Sequence, residues 1–488
     1  MLAALLVTLA CGQELREGAS AERPSIVLVT IDTLRREHLG CYGYERPTSP
    51  RVDALAAESV LFERAFAPMA QTYPSHLSML TGLYPHEHGR ATNGEGVRNP
   101  FVSGGAQASI AAELRSAGYR TAGFVSSIVL HEGTGIGAGF DVYDVPAVRF
   151  RERTSRETMD RVLAWLAGVP AGEPFFLWVH LWDPHEPNRP TPEFAALLAP
   201  DDALRAFVSG RRLDPAALAQ RYGGQQVIGE NFFAFRPPTR SRAALRTSGV
   251  QRDAKGGFRI DTESLVALHA RYDACVRQVD TAVGRLIDAL VQRGSWPRTA
   301  FVFTADHGQS LGDGGNLGHN LDTQVNVRVP LVIHFPAGSV PQPARSDALV
   351  SLVDLMPTLL AALPIGGLER YLAQCTGRDV LSPDFAREGV ITAETRKEYA
   401  IVTGRWKYAR VMDVPAGQLF DLEGAGEARD VAAENEAIAR ELDRLLARAL
   451  ESTVGTVEPS GKVDPATQEL LDQLEELGYG GGADEDDR

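Results

Sequence analysis

Three stretches of this chain, Ser25–Ile31, Phe175–Leu181 and Ala300–Thr304, are unbroken runs dominated by apolar and β-branched residues, and each leads to an aspartate: Asp32, Asp183 and Asp306. Runs without polar alternation read as strands buried on both faces, as in a sheet covered by helices. Thr121–Val125 and Pro330–Phe335 read the same way. Helical patterns separate them. One starts at Pro50 with Ser49 as N-cap and carries Val52, Leu55 and Ala56. Another carries Ile110 and Leu114 and stops at Gly118, a third carries Met159, Val162, Leu163 and Leu166, and a long one runs from about Leu265 to Leu290. This alternation predicts an α/β fold with a large, mostly parallel sheet sandwiched by helices. Near Asp379 the texture shifts to short strands at Gly389–Thr392, Tyr399–Val402, Trp406–Val411 and Gln418–Asp421. An amphipathic helix over Asn435–Leu450 closes this part. A small C-terminal antiparallel sheet plus helix is expected there.

The expected organisation is a leader and linker over 1–23, a catalytic domain over 24–378, a C-terminal subdomain over 379–455 and a tail over 456–488. Within the catalytic domain, 187–259 reads as an Arg-rich insertion near the site, because excursions after strand ends often cap sites in such folds. The formal net charge of −14 excludes general nucleic-acid binding, which needs a basic face. Four cysteines, Cys11, Cys41, Cys275 and Cys375, contain no CxxC pair, which argues against a zinc ribbon and leaves room for one disulfide. The apolar start Met1–Ala10, with Cys11-Gly12 after it, has the texture of a signal peptide with a lipoprotein processing site. Export to the periplasm or anchoring to the outer membrane through a lipid on Cys11 is expected. No segment is apolar for long enough to span a bilayer.

The chemistry concentrates at the strand ends and in one helix. In an open α/β sheet the carboxyl ends of the strands form the ligand crevice. Asp306 is followed by His307-Gly308, Asp183 by Pro184-His185, and His319 lies beyond the glycine-rich loop 312–315. Carboxylate oxygens with imidazole nitrogens suit zinc, manganese or iron better than calcium. His180 and His334, inside apolar strands, read as core histidines. The stretch Thr72-Tyr73-Pro74-Ser75-His76 to Gly82 places a hydroxyl just ahead of a helix started by Pro74 and ended by Gly82. Thr72 would sit where free N–H groups and the helix dipole favour negative charge. A threonine hydroxyl is a poor nucleophile unless a base or metal activates it.

Taken in order, Val29–Arg35 with Gly40–Gly43, Thr72–His76 to Gly82, Asp183–His185, Thr304–Gly308, Arg328–Leu331, Val353–Thr358 and Leu419–Leu422 resemble the sulfatase family within the alkaline phosphatase superfamily. The resemblance spans about Pro24 to Leu450 and implies a mixed, mostly parallel sheet and ester hydrolysis. Several positions depart from the family. Thr72 stands where sulfatases carry the cysteine or serine oxidised to formylglycine, so no formylglycine is expected. Thr33 replaces the second of two aspartates, His76 an arginine, His307 an asparagine and His319 a lysine. Ser126 and Ile128 stand at the sulfate-clamping lysine and histidine. Related phosphodiesterases of the superfamily use a threonine nucleophile with two metals. The resemblance therefore implies one divalent ion, zinc or manganese, at Asp32, Asp306, His307 and Thr72. A second would sit at Asp183, His319 and His185, unless His185 instead contacts the substrate oxygens. His76 either hydrogen-bonds the leaving group or is a surface residue of the helix start. The expected activity is hydrolysis of a sulfate, phosphate or phosphonate ester of an anionic small molecule or glycan, through a covalent ester on Thr72. The alternatives are transfer of a phospho-substituent to a sugar or lipid acceptor, and a binding protein of the same fold without catalysis.

Overall fold

The computed structural model describes residues 23–104, 107–147, 152–210, 232–235, 251–252, 258–313, 317–319, 322–393, 397–412, 414, 416–424, 426–451, 468 and 471–472. Its centre is an eight-stranded sheet of β1 (Ser25–Ile31), β2 (Val60–Phe66), β3 (Arg120–Val125), β4 (Val142–Asp144), β5 (Phe175–Leu181), β6 (Thr299–Ala305), β7 (Arg328–His334) and β8 (Ala344–Ser351). The order is β8-β2-β7-β6-β1-β5-β3-β4. Every neighbouring pair is parallel except those made by β7, which runs antiparallel to β6 and β2. The continuous apolar runs are the central strands, and β1, β5 and β6 are buried at every position. The strands that their sequences did not announce lie toward the edges or are short. β2 carries Glu63 and Arg64 in mid-strand, and β8 is exposed over its first half. Both lack the apolar continuity that marks a doubly covered strand.

Helices α1 (Pro50–Ala56), α2 (Thr72–Thr81), α3 (Ser155–Gly168) and α4 (Thr262–Gln292) follow the expected patterns. Two local readings change. The α2 helix begins at Thr72, ahead of Pro74, so the hydroxyl belongs to its first turn. Ser49 sits at the N-cap position of α1 but makes no cap bond to the helix; its Oγ accepts from Gly40 N and contacts Asp53. A four-stranded antiparallel sheet, β9 (Val390–Ala393), β10 (Glu398–Val402), β11 (Trp406–Val411) and β12 (Gln418–Asp421), packs against the helix Glu436–Leu450. Ala393 N bonds to Pro68 O, which joins this sheet to the segment leading into α2. Much of the Arg-rich insertion lies outside the described residues, as do Cys11 and the leader. Cys41, Cys275 and Cys375 are free thiols. Among the described residues no helix is long and apolar enough to cross a membrane.

Gly82 ends α2 in the left-handed conformation, with φ of 70°. A Cβ there would run into Cys375 Sγ. Gly82→Ala combines a left-handed non-glycine residue with overpacking, and an expected loss of about 2–4 kcal/mol of stability follows. Urea denaturation of the purified variant checks it. An unchanged midpoint would show that the contact is soft.

Candidate active site and metal centre

β5 and β6 flank β1 in register, with Leu181 and Ala305 both opposite Ile31. Asp32 and Asp306 therefore emerge side by side at the carboxyl ends of adjacent strands. Both are fully buried. Neither oxygen of Asp32 has a hydrogen-bond partner, and neither does Oδ2 of Asp306. Oδ1 of Asp306 accepts from Thr33 N at 3.2 Å and His307 N at 2.8 Å. Thr33 holds a left-handed backbone, φ 57°, which turns its N–H toward that oxygen. Such conformations in β-branched residues are strained and gather at functional sites.

His307 Nδ1 donates to Gly308 O at 3.0 Å, which leaves Nε2 facing inward as a lone-pair donor. That nitrogen lies 3.6 Å from Asp306 Oδ2, 3.9 Å from Asp32 Oδ1 and 3.5 Å from Thr72 Oγ1. Gly308 permits this turn, since a Cβ would strike Val325 O. Helix α2 is fixed over the carboxylates by Ser75 Oγ, which donates to Asp306 O at 2.7 Å. Four residues drawn from three separate parts of the chain thus meet at one point, with the threonine hydroxyl at the start of a helix.

Burial sets the protonation states. It raises the Asp306 carboxyl to about 7, with Asp32 adding to the rise. Burial likewise lifts Asp32 well above the usual carboxylate range. It lowers His307 to about 4. Two carboxylates placed together with no partner on three oxygens make a cation-shaped environment, because desolvated charge needs a counter-charge. The neutral imidazole of His307 is the form that ligates metals. Asp32, Asp306 and His307 offer one ligand atom each within 4.8 Å of one another. The donor set fits a divalent ion such as zinc or manganese.

The other expected site residues divide. His185 and His319 face each other, Nε2 to Nε2 at 3.0 Å, and the His319 ring lies 4.7 Å from that of His307. His185 Nδ1 donates to Glu186 O, and its ring stacks on Trp182. Asp183 has other partners. Its oxygens accept from Ser155 N at 2.6 Å and from the Gln278 side chain, so it anchors the start of α3. The structure does not bring it into either three-residue ligand cluster found among the described residues. Thr154 is the N-cap of α3, and Asp183 accepts from the N–H of the next residue, a long-range contact that leaves no mark in the local sequence. His76 is neither at the surface nor free to reach a leaving group. Nδ1 donates to Thr72 O at 2.7 Å and Nε2 accepts from Thr30 Oγ1 at 2.9 Å, while Trp178 Nε1 donates to the same hydroxyl. It braces the first turn of α2. Ser126 is buried against Thr158.

Sequence reasoning missed His180. Read as a satisfied core histidine, it is fully buried, yet neither ring nitrogen has a hydrogen-bond partner. Nε2 lies 3.5 Å from Asp32 Oδ2. The missed signal was its position across from Thr30, two residues before Asp32 on the same strand face. His334, by contrast, stacks on Trp296 at 4.3 Å, outside the site. The segment 322–324 is held by the C-terminal part of the chain: buried Lys407 pairs with Asp322 and Glu427, and Glu427 accepts from Gln324 N.

Buried carboxylates and an imidazole at strand tips, facing a hydroxyl on a helix N-terminus, stand at the carboxyl edge of an α/β sandwich, where such folds place their ligand crevice. The family model described as Sulfatase matches residues 24–365, and the chain belongs to the sulfatase family. It is an ester hydrolase. The N-acetylgalactosamine-6-O-sulfatase of Bacteroides thetaiotaomicron is 24% identical over 91% of this chain and 97% of its own. Human iduronate 2-sulfatase is 27% identical over 71% of this chain and 66% of its own. The phosphonate monoester hydrolase of Agrobacterium radiobacter superposes with a TM-score of 0.65 at 21% identity, covering 88% of this chain and 95% of that one. The last likeness speaks to the fold.

Proposed function

We propose that the chain is a metal-dependent hydrolase of sulfate, phosphate or phosphonate esters, with Thr72 as nucleophile and a covalent threonyl ester as intermediate. The observation that carries this reading is the approach of Thr72 Oγ1 to His307 Nε2, 3.5 Å away, beside two unpartnered buried carboxylates. Asp32, Asp306, His307 and the Thr72 hydroxyl would hold one divalent cation. When bound, such an ion lowers the pKa of the threonine hydroxyl and offsets negative charge on the ester oxygens.

The residues of the chain supply the rest. Thr72, having lost its proton to solvent, attacks phosphorus or sulfur in line. Its new bond forms as the bond to the leaving oxygen breaks. The leaving oxygen takes its proton from solvent as it departs, beside His185 and His319, whose Nε2 atoms face each other at 3.0 Å. Water then attacks the threonyl ester, gives its proton to solvent, and frees Thr72. His76 acts indirectly, by holding the Thr72 carbonyl and hence the angle of the hydroxyl. Export of the chain, with or without a lipid on Cys11, belongs to the same proposal and rests on the apolar start of the sequence.

A panel of chromogenic sulfate monoester, phosphate monoester, phosphate diester and phosphonate substrates, each with zinc, manganese or calcium, tests the reading. Turnover of at least one ester is expected with zinc or manganese, and chelation should remove it. Chelator-insensitive turnover would overturn the metal requirement. Adding an acceptor alcohol separates hydrolysis from transfer, and hydrolysis product alone is expected.

A further inference from the structure

The cluster has one imidazole that the proposed chemistry leaves unassigned. Thr30 and Asp32 lie on the same face of β1, and His180 is opposite Thr30 on β5. Thr304 is opposite Thr30 on the other side, two residues before Asp306. His180 therefore rises from the sheet directly beneath the paired carboxylates. It is fully buried, and both ring nitrogens lack hydrogen-bond partners. A structural histidine buried in an apolar strand would need a partner, because its desolvated polar atoms are otherwise uncompensated.

We propose that His180 ligates the same cation as Asp32, Asp306, His307 and Thr72, making this a centre with two imidazoles. The inference rests on the metal-dependent reading above. Its Nε2 stands 3.5 Å from Asp32 Oδ2. Two atoms bound to one ion at about 2.0–2.2 Å lie roughly 3–4 Å apart, so the spacing is that of co-ligands. It is long for an N–H···O bond. His180 also falls in a second ligand cluster with His76 and Asp306, all within 4.8 Å. His76 cannot serve there, since Thr72 O and Thr30 Oγ1 occupy its nitrogens. The two clusters share Asp306, and the approach of His180 Nε2 to Asp32 Oδ2 is a second link between them. A second imidazole tilts the preference further toward zinc or manganese and away from calcium, which favours all-oxygen shells.

Zinc-edge X-ray absorption on the full chain, loaded with one equivalent of zinc, counts imidazoles per ion. Two are expected in the wild type and one in His180→Phe, which keeps a ring and drops both nitrogens. Competition against a chromophoric chelator should show zinc binding weakened by about 10- to 100-fold or more in His180→Phe and in His180→Gln. Calcium binding should change far less. One imidazole in the wild type would overturn the proposal, even if affinity fell, because an outer residue orienting Asp32 also affects affinity. The wild-type count stands whether or not His180→Phe folds, and circular dichroism reports its folding. If the wild type takes up no zinc, or Asp32→Asn takes it up undiminished, the metal-dependent reading itself falls.

Discussion

Thr72→Ala is expected to lower kcat on the order of 10⁴- to 10⁶-fold, the loss seen when a covalent nucleophile is removed from a site whose other parts remain. The variant should bind zinc nearly as well as the wild type, because Asp32, Asp306 and His307 would supply the charge and most of the donors. It should also keep its fold. The helix does not depend on the hydroxyl, since His76 bonds the backbone oxygen of residue 72 and Ser75 ties the same turn to Asp306. Thr72→Ser retains the nucleophilic atom and loses only a methyl that helps fix its rotamer, so partial activity is expected. Steady-state kinetics on the best ester of the panel, with metal analysis of each variant, decides this. Full turnover by the alanine variant would end the proposal. Equal and complete loss in the serine variant would indicate that the packing of the side chain, and not its oxygen, matters.

The second large effect is on stability, with opposite signs in the presence and absence of metal. Burial, reinforced by Asp32, lifts the Asp306 carboxyl from its ordinary value to about 7. Between about pH 4 and 7 the folded, metal-free protein therefore holds a proton that the unfolded chain has released. Its stability must fall as pH rises through that window. The buried imidazoles of His76, lowered to about 3, and of His180 and His307, lowered to about 4, act in the other direction. They resist protonation when folded, so stability falls as pH drops below about 6.5. The metal-free protein is thus squeezed from both sides. Asp306→Asn removes one of the two opposed carboxylates and leaves an Oδ1 acceptor for Thr33 and His307. In chelator at pH 8 the variant should be more stable than wild type by roughly 2–4 kcal/mol, with a shallower decline between pH 4 and 7. With zinc the order reverses, because only the wild type gains binding free energy. Thermal melts across pH, with and without chelator, read both effects. A variant less stable than wild type in chelator would mean that Asp306 is held by partners other than a cation.

A good part of this molecule can be read from its residues one after another. β1, β5 and β6 declared themselves through apolar continuity, and the three aspartates at their ends marked the crevice. Edge and mixed strands did not: β2 and β8 carry charged residues whose pairing is set by neighbours far away in the chain. Asp32, Asp306, His307 and Thr72 lie together in the fold, and each stood out in the sequence because it sits in a polar turn beside a strand or helix end. Asp183 and His180 have surroundings opposite to those their sequence contexts suggest. Asp183 has the same strand-end context as the other two acids, yet Ser155 and Gln278 bind its oxygens. His180 has the context of a core residue, yet the register between β5 and β1 points it at Asp32.

The order of residues was enough to determine that an α/β sheet forms and that acids and imidazoles gather at its carboxyl edge. Burial periodicity and strand-end position are local properties of a sequence. Which of those groups lacks a partner was decided only by the tertiary structure. A hydrogen bond to Asp183 from Gln278, or its absence at Asp32, depends on strand register and helix placement over long separations. Those separations leave no periodic trace in the chain.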